Sequence, residues 1–115
     1  MLSQENRLRK RSDFDRLFKA GKSVGSRNLV FKYAKSPFPD EPSRIAFIVS
    51  NKTEKSAVKR NRVKRQLRAA VRELLPYLVQ GYDGAFIVKP GLLPVDYQKK
   101  LAEVKQLLKK AGMLH

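Results

Sequence analysis

The side chains of this chain best suited to act on another molecule are cations. Lys59, Arg60, Arg62, Lys64, Arg65 and Arg68, with the neutral amide of Asn61 among them, fall within ten residues that hold no acidic side chain. Guanidinium and ammonium groups at this density match the phosphates of a polyanion, Arg by bidentate hydrogen bonding and Lys as a point charge. On a helix Arg60, Lys64 and Arg68 share one ridge, and like charges at that spacing repel by about a few tenths of a kcal/mol per pair. Solubilising faces mix both signs, so a ridge of one sign calls for a partner that carries the other. A second group is aromatic. Phe14 and Phe18, with Leu17 between them, can pack a core or offer rings on which bases stack. The means for protein-based hydrolysis are missing: the sole histidine is His115, and Asp13 and Asp15, two residues apart, do not share a helix face on which to hold a metal. No catalytic residue and no metal ligand is therefore assigned to the chain.

The elements that must hold these groups follow from periodicity. Val63, Leu67, Ala70, Val71 and Leu74 form one stripe of a 3.6-residue helix, which turns the cations to the other side. This helix is expected to begin near Glu54 to Ser56 and to end at Leu75, before Pro76. Upstream, Met1 to Arg11 is polar and basic and reads as a mobile arm. A short helix from Asp13 to Ala20 follows, with Ser12 and Asp15 in the form of a capping box and Gly21 as its stop. Lys22 to Ala34 is expected to be extended and broken near Gly25, with Leu29, Phe31 and Tyr33 on one face. The loop Ser36 to Pro42 holds three prolines and separates this strand from Arg44 to Ser50, whose two apolar faces suggest a central strand. Gly81 to Gly84 reads as a turn and Ala85 to Val88 as a buried strand. Asp96 starts a last amphipathic helix, marked by Tyr97, Leu101, Val104 and Leu108, which stops before Gly112. The order is that of a single α+β domain with one small sheet and covering helices.

Composition narrows the function. The chain has 115 residues and a formal charge of +16 with a pI near 10.5, the footprint of a phosphate-backbone binder. Its 42% apolar content is enough to bury, which argues against a disordered basic tail. The lack of cysteine fits a reducing compartment, and no apolar run reaches membrane-spanning length, so a cytoplasmic protein without a membrane partner is expected. DNA is not the expected partner, because a zipper-type basic region would continue into heptads where this helix meets Pro76. A ribosomal-type or other structured-RNA binder with no role in cleavage shares the same charge and size.

The run Lys59-Arg60-Asn61-Arg62-Val63-Lys64-Arg65 closely resembles the RNR signature of the bacterial ribonuclease P protein subunit family. Further landmarks fit in the same order: Arg7-Leu8-Arg9-Lys10, Asp13-Phe14-Asp15-Arg16-Leu17-Phe18-Lys19, Gly21-Lys22-Ser23, Val49-Ser50 with Lys52, Gly81-Tyr82-Asp83, Lys89-Pro90-Gly91 and Leu107 to Gly112. Ala46 stands where the family frequently has Gly, and Asn51 where it frequently has Lys. The resemblance implies a four-stranded sheet with three helices in the order α-β-β-β-α-β-α, and a left-handed βαβ crossover where spacing alone gives the common right-handed one. It also implies a protein that assists a catalytic RNA in removing the 5′ leader from precursor tRNA. Lys59, Arg60, Asn61, Arg62, Lys64, Arg65 and Arg68 would dock on that RNA, while Arg7, Lys10, Phe14, Phe18 and Phe31 would receive the leader. Mg2+ is expected on the RNA and the substrate, outside any protein cage.

Overall fold

The computed structural model describes residues 6–115. Its elements are α1 (Arg11–Ala20), β1 (Lys22–Gly25), β2 (Leu29–Lys35), β3 (Arg44–Ile48), α2 (Ala57–Leu74), β4 (Tyr82–Val88) and α3 (Tyr97–Lys110), the order expected from the sequence. The strands form one sheet in the order β1-β2-β4-β3. β2 is antiparallel to β1 and β4, while β3 lies parallel to β4 and reaches it through α2.

Alternation sorts the strand residues between two faces. Leu29, Phe31, Ile45, Phe86 and Val88 join Val63, Leu67, Ala70, Val71 and Leu74 of α2 and Val104, Leu107 and Leu108 of α3 in the main core. Burying a side chain such as Leu67 completely contributes about 1.5–3 kcal/mol. Aromatic rings stack through this layer, with Phe31 and Phe86 centroids 4.3 Å apart and Phe86 and Phe47 5.9 Å apart. The opposite face is thinner. Leu8, Leu17, Ala46 and Ala85 form a second cluster, with Phe14, Ala34 and Ile48 packed against it.

Several local expectations need correction. β3 is an edge strand, not a central one. Its faces are apolar because one meets the main core and the other the second cluster. Its edge is covered by the segment expected to be a mobile arm: Arg7 bridges to Ile45, and the Leu8 N–H donates to the Ile45 carbonyl at 3.3 Å. Leu8 is buried, so the arm is anchored from there on; its first five residues lie outside the described range. α1 begins two residues early and has no capping box, since Lys10 is its N-cap without a side-chain bond and Ser12 lies inside the first turn. β4 begins at Tyr82, which ends the turn at Gly81. Gly84 serves the strand instead, because a Cβ there would stand 2.4 Å from the Phe31 ring. His115 is held by its N–H donating to the Tyr77 carbonyl at 2.8 Å. Both longer helices start as written: Ser56 caps α2 by accepting from the Lys59 N–H, and Asp96 caps α3 by accepting from the Lys99 N–H.

Candidate RNA interface

α2 presents its cations as its stripe requires. With Val63, Leu67, Ala70, Val71 and Leu74 buried, Lys59, Asn61, Arg62 and Arg65 are exposed, and Arg60, Lys64 and Arg68 flank the core at partial burial. The ridge of three is not uniform. Arg60 donates through Nη1 to the carbonyls of Glu54 at 2.8 Å and Lys55 at 2.9 Å, so it also clamps the chain leading into the helix. Arg68, two turns on, lines a cavity of about 240 Å³ with Arg7, Leu8, Arg9, Phe14, Ile45, Ala46 and Phe47. The basic helix therefore reaches round the β3 edge to the other surface.

That surface lies on the thin face of the sheet. α1 buries Leu17 completely and leaves Phe14 half-buried, while Phe18 is 41% exposed. The two rings are stacked with centroids 6.4 Å apart, and the Lys32 ammonium stands 5.7 Å from the Phe18 centroid. A cation at an aromatic face suits a nucleotide, whose base stacks while its phosphate meets the charge. Lys10 is exposed at the start of α1, where its carbonyl accepts from the Asp13 and Phe14 N–H groups.

α1 is seated by charge. The Asp83 carboxylate is fully buried and accepts from Arg44 Nε at 2.8 Å, from Arg44 Nη2 at 2.7 Å and from Arg16 Nη2. Arg44 also meets Asp13 of α1 at 3.3 Å, and Arg16 Nη1 donates to the Lys35 carbonyl at 3.0 Å. Hydrogen bonding to Asp83 is the main cause that raises the Arg44 pKa above its ordinary value, against the opposing effect of burial; the charges of Asp83 and Asp13 add to the rise. Two guanidinium groups and two carboxylates thus fix the helix that carries Phe14 and Phe18. These same carboxylates are unsuited to metal chemistry, being occupied by arginine. Among the described residues no three His, Asp or Glu side chains group into a metal site.

Most of the residues expected at the interface reach one of the two surfaces. Phe31 does not. It is fully buried on the opposite sheet face, between Tyr33 and Phe86, because odd-numbered residues of β2 point toward α2 and α3. Lys32 is the residue that the same alternation turns toward α1, and counting from Phe31 would have found it. Arg16, Arg44 and Asp83 left no comparable signal, since their contacts join residues up to 67 positions apart.

The family model for ribonuclease P matches residues 2–112. Among curated relatives, the ribonuclease P protein component of Microcystis aeruginosa is 41% identical, with 99% of this chain and 97% of that one covered. That of a Cyanothece strain is 42% identical over 100% of this chain and 98% of its own. Among solved structures, the Thermotoga maritima RNase P protein superposes with a TM-score of 0.81 at 30% identity, covering 90% of this chain and 96% of that one. A Staphylococcus aureus RNase P protein reaches 0.85 at 25% identity, covering 96% and 98%. A match across the full domain, joined to a basic helix laid over an α+β core, excludes a ribosomal-type binder: the chain belongs to the bacterial ribonuclease P protein family, the protein component of the endoribonuclease that processes tRNA in partnership with ribonuclease P RNA.

Proposed function

We propose that the two surfaces divide the work of precursor tRNA processing. The exposed cations of α2, with Lys59, Arg62 and Arg65 foremost, dock on the phosphates of ribonuclease P RNA. The thin face of the sheet takes the single-stranded 5′ leader, with bases stacked on Phe18 and Phe14 and phosphates met by Arg7, Lys10 and Lys32. Stacking and phosphate contacts read few base identities, so leader recognition is sequence-tolerant. Bond cleavage belongs to the RNA, with Mg2+ held by RNA and substrate. Asp13 and Asp83, already engaged by arginine, do not fit a Mg2+ site, and the role of the chain is to offset the repulsion between two polyanions, which lowers the divalent-ion concentration required. Such work takes place in the cytoplasm.

The observation that carries the leader assignment is the exposed Phe18 ring stacked on Phe14 beneath the Lys32 ammonium. The test compares leader-bearing precursor with mature tRNA on the assembled enzyme. Phe18→Ala is expected to weaken precursor binding by about 1–3 kcal/mol and to leave mature tRNA binding unchanged. Equal discrimination by variant and parent would remove Phe18 from the leader path. In parallel, the protein should restore cleavage by ribonuclease P RNA at limiting Mg2+; no stimulation would refute the electrostatic role.

A further inference from the structure

Lys100 of α3 is 2% exposed, and its ammonium donates to Gln66 Oε1 at 2.5 Å. No Asp or Glu of the described residues forms an ion pair with it. An ammonium carries three donors, and burying it without a counter-charge is costly. Lys100 lines a concavity of about 390 Å³ between α2 and the Leu93–Val95 segment, together with Glu54, Lys59, Arg62, Val63 and Gln66. Burial and the neighbouring Arg62 charge both push the Lys100 pKa down, with Asp96 acting weakly the other way. Three cations and a single carboxylate thus surround a space of nucleotide size with an apolar wall of Val63, Leu93, Pro94 and Val95.

We propose that this concavity binds one backbone phosphate of ribonuclease P RNA, with Lys100 at its floor and Lys59 and Arg62 at its rim. The attached nucleoside lies on Pro94 and Val95, and Glu54 is placed to accept from a ribose hydroxyl, a group that DNA lacks. The phosphate supplies the counter-charge that Lys100 has no carboxylate to provide. This site deepens the docking role of α2 by adding α3 and the segment before it, and it is independent of the leader assignment. It turns a basic helix that could settle on RNA at many angles into one with a fixed register.

The experiment uses the full chain with three variants. Lys100→Met removes the ammonium, Val95→Phe fills the concavity without changing charge, and Lys109→Met removes an exposed lysine of the same helix as a control. Melting is followed in inorganic phosphate, in adenosine 5′-monophosphate and in sodium chloride at matched ionic strength, and affinity for ribonuclease P RNA is measured across salt. The parent and Lys109→Met should gain melting temperature in both phosphate compounds. Lys100→Met, which loses a buried charge, should melt no earlier than the parent in chloride yet lose most of that gain, and Val95→Phe should lose it too. RNA affinity should fall about tenfold for Lys100→Met, the value of one charge-assisted hydrogen bond. Its salt dependence should shallow by about one phosphate contact. Gains and RNA affinities equal to those of Lys109→Met would overturn the site. A phosphate gain lost in Lys100→Met with RNA affinity equal to the control would overturn its assignment to RNA. If Lys100→Met melts early, Val95→Phe decides by the same readings.

Discussion

α1 and α2 both carry functional side chains, but they are held to the sheet by opposite means. α2 rests on five buried apolar residues and keeps most of its cations in solvent. α1 buries one large apolar side chain, Leu17, and is otherwise tied down through Asp13 and Arg16 to Arg44 and Asp83. In α2, anchoring and function fall on different residues, Arg60 with its clamp on Glu54 and Lys55 excepted, so most of the binding face can change without disturbing the fold. In α1 the anchor is a charge network continuous with the functional surface. Damage to the network displaces the aromatic rings even where no ring is altered.

The largest effect should separate the two sides of α2. Leu67→Asp buries an unpaired carboxylate and should abolish folding, read as loss of a cooperative thermal transition. Arg65→Ala should melt like the parent and bind ribonuclease P RNA more weakly. Equal melting of the two would break the facing assignment. Next comes the network of α1. Asp83→Ala leaves Arg16 and Arg44 without their buried partner and should cost about 3–5 kcal/mol in a denaturant titration. A loss below about 1 kcal/mol, the scale of an exposed pair, would mean that the network does not seat the helix.

Salt tests both anchors at once. If about six cations of the interface reach phosphates, RNA affinity should fall roughly a thousandfold between about 50 and 200 mM salt. In the free protein the stability lost by Asp83→Ala should change little over the same range, because the Asp83 carboxylate is shielded from solvent. A weak salt dependence of binding would sink the phosphate account of α2. The smallest effect concerns the α2–α3 contact. Tyr97 donates its phenol O–H to Glu73, and burial, reinforced by this bond and the Glu73 charge, raises its pKa from 10.0 to about 12. The folded protein holds this proton where the unfolded chain has released it. The associated stability is thus present below pH 10 and lost as pH rises toward about 12. Relative to Tyr97→Phe, the parent should lose stability across that window; parallel curves would exclude the contribution.

Legibility in the sequence followed the range of the interactions. The stripe of α2, its start near Glu54 to Ser56 and the start of α3 at Asp96 are set within a few residues, and the structure has them nearly as the sequence implies. The edge position of β3 was misjudged because two apolar faces say nothing about which strands flank a segment, and here the cover on its free edge comes from Arg7 and Leu8. Phe31 was assigned to the leader path by resemblance against its own alternation, and the alternation prevailed. Lys100 was hidden among the polar positions of an amphipathic helix. A lysine on the margin of an apolar stripe reads as solvent-facing until the neighbouring helix is in place.

β4 sits between β2 and β3, which do not touch each other, and it supplies Asp83 to the seat of α1. It is also made late, after α2. As the chain leaves the ribosome, the β1–β2 hairpin is the only strand pairing of the sheet whose two members precede residue 82. Neither the main core nor the α1 face can close until the segment up to Val88 has emerged. Three quarters of the protein, including the basic helix, must therefore be synthesised before any of it can be stably folded. Until then the chain is a polycation without its sheet, and the seven residues of β4, followed by the α3 side chains that close the main core, turn it into a binder with a shape.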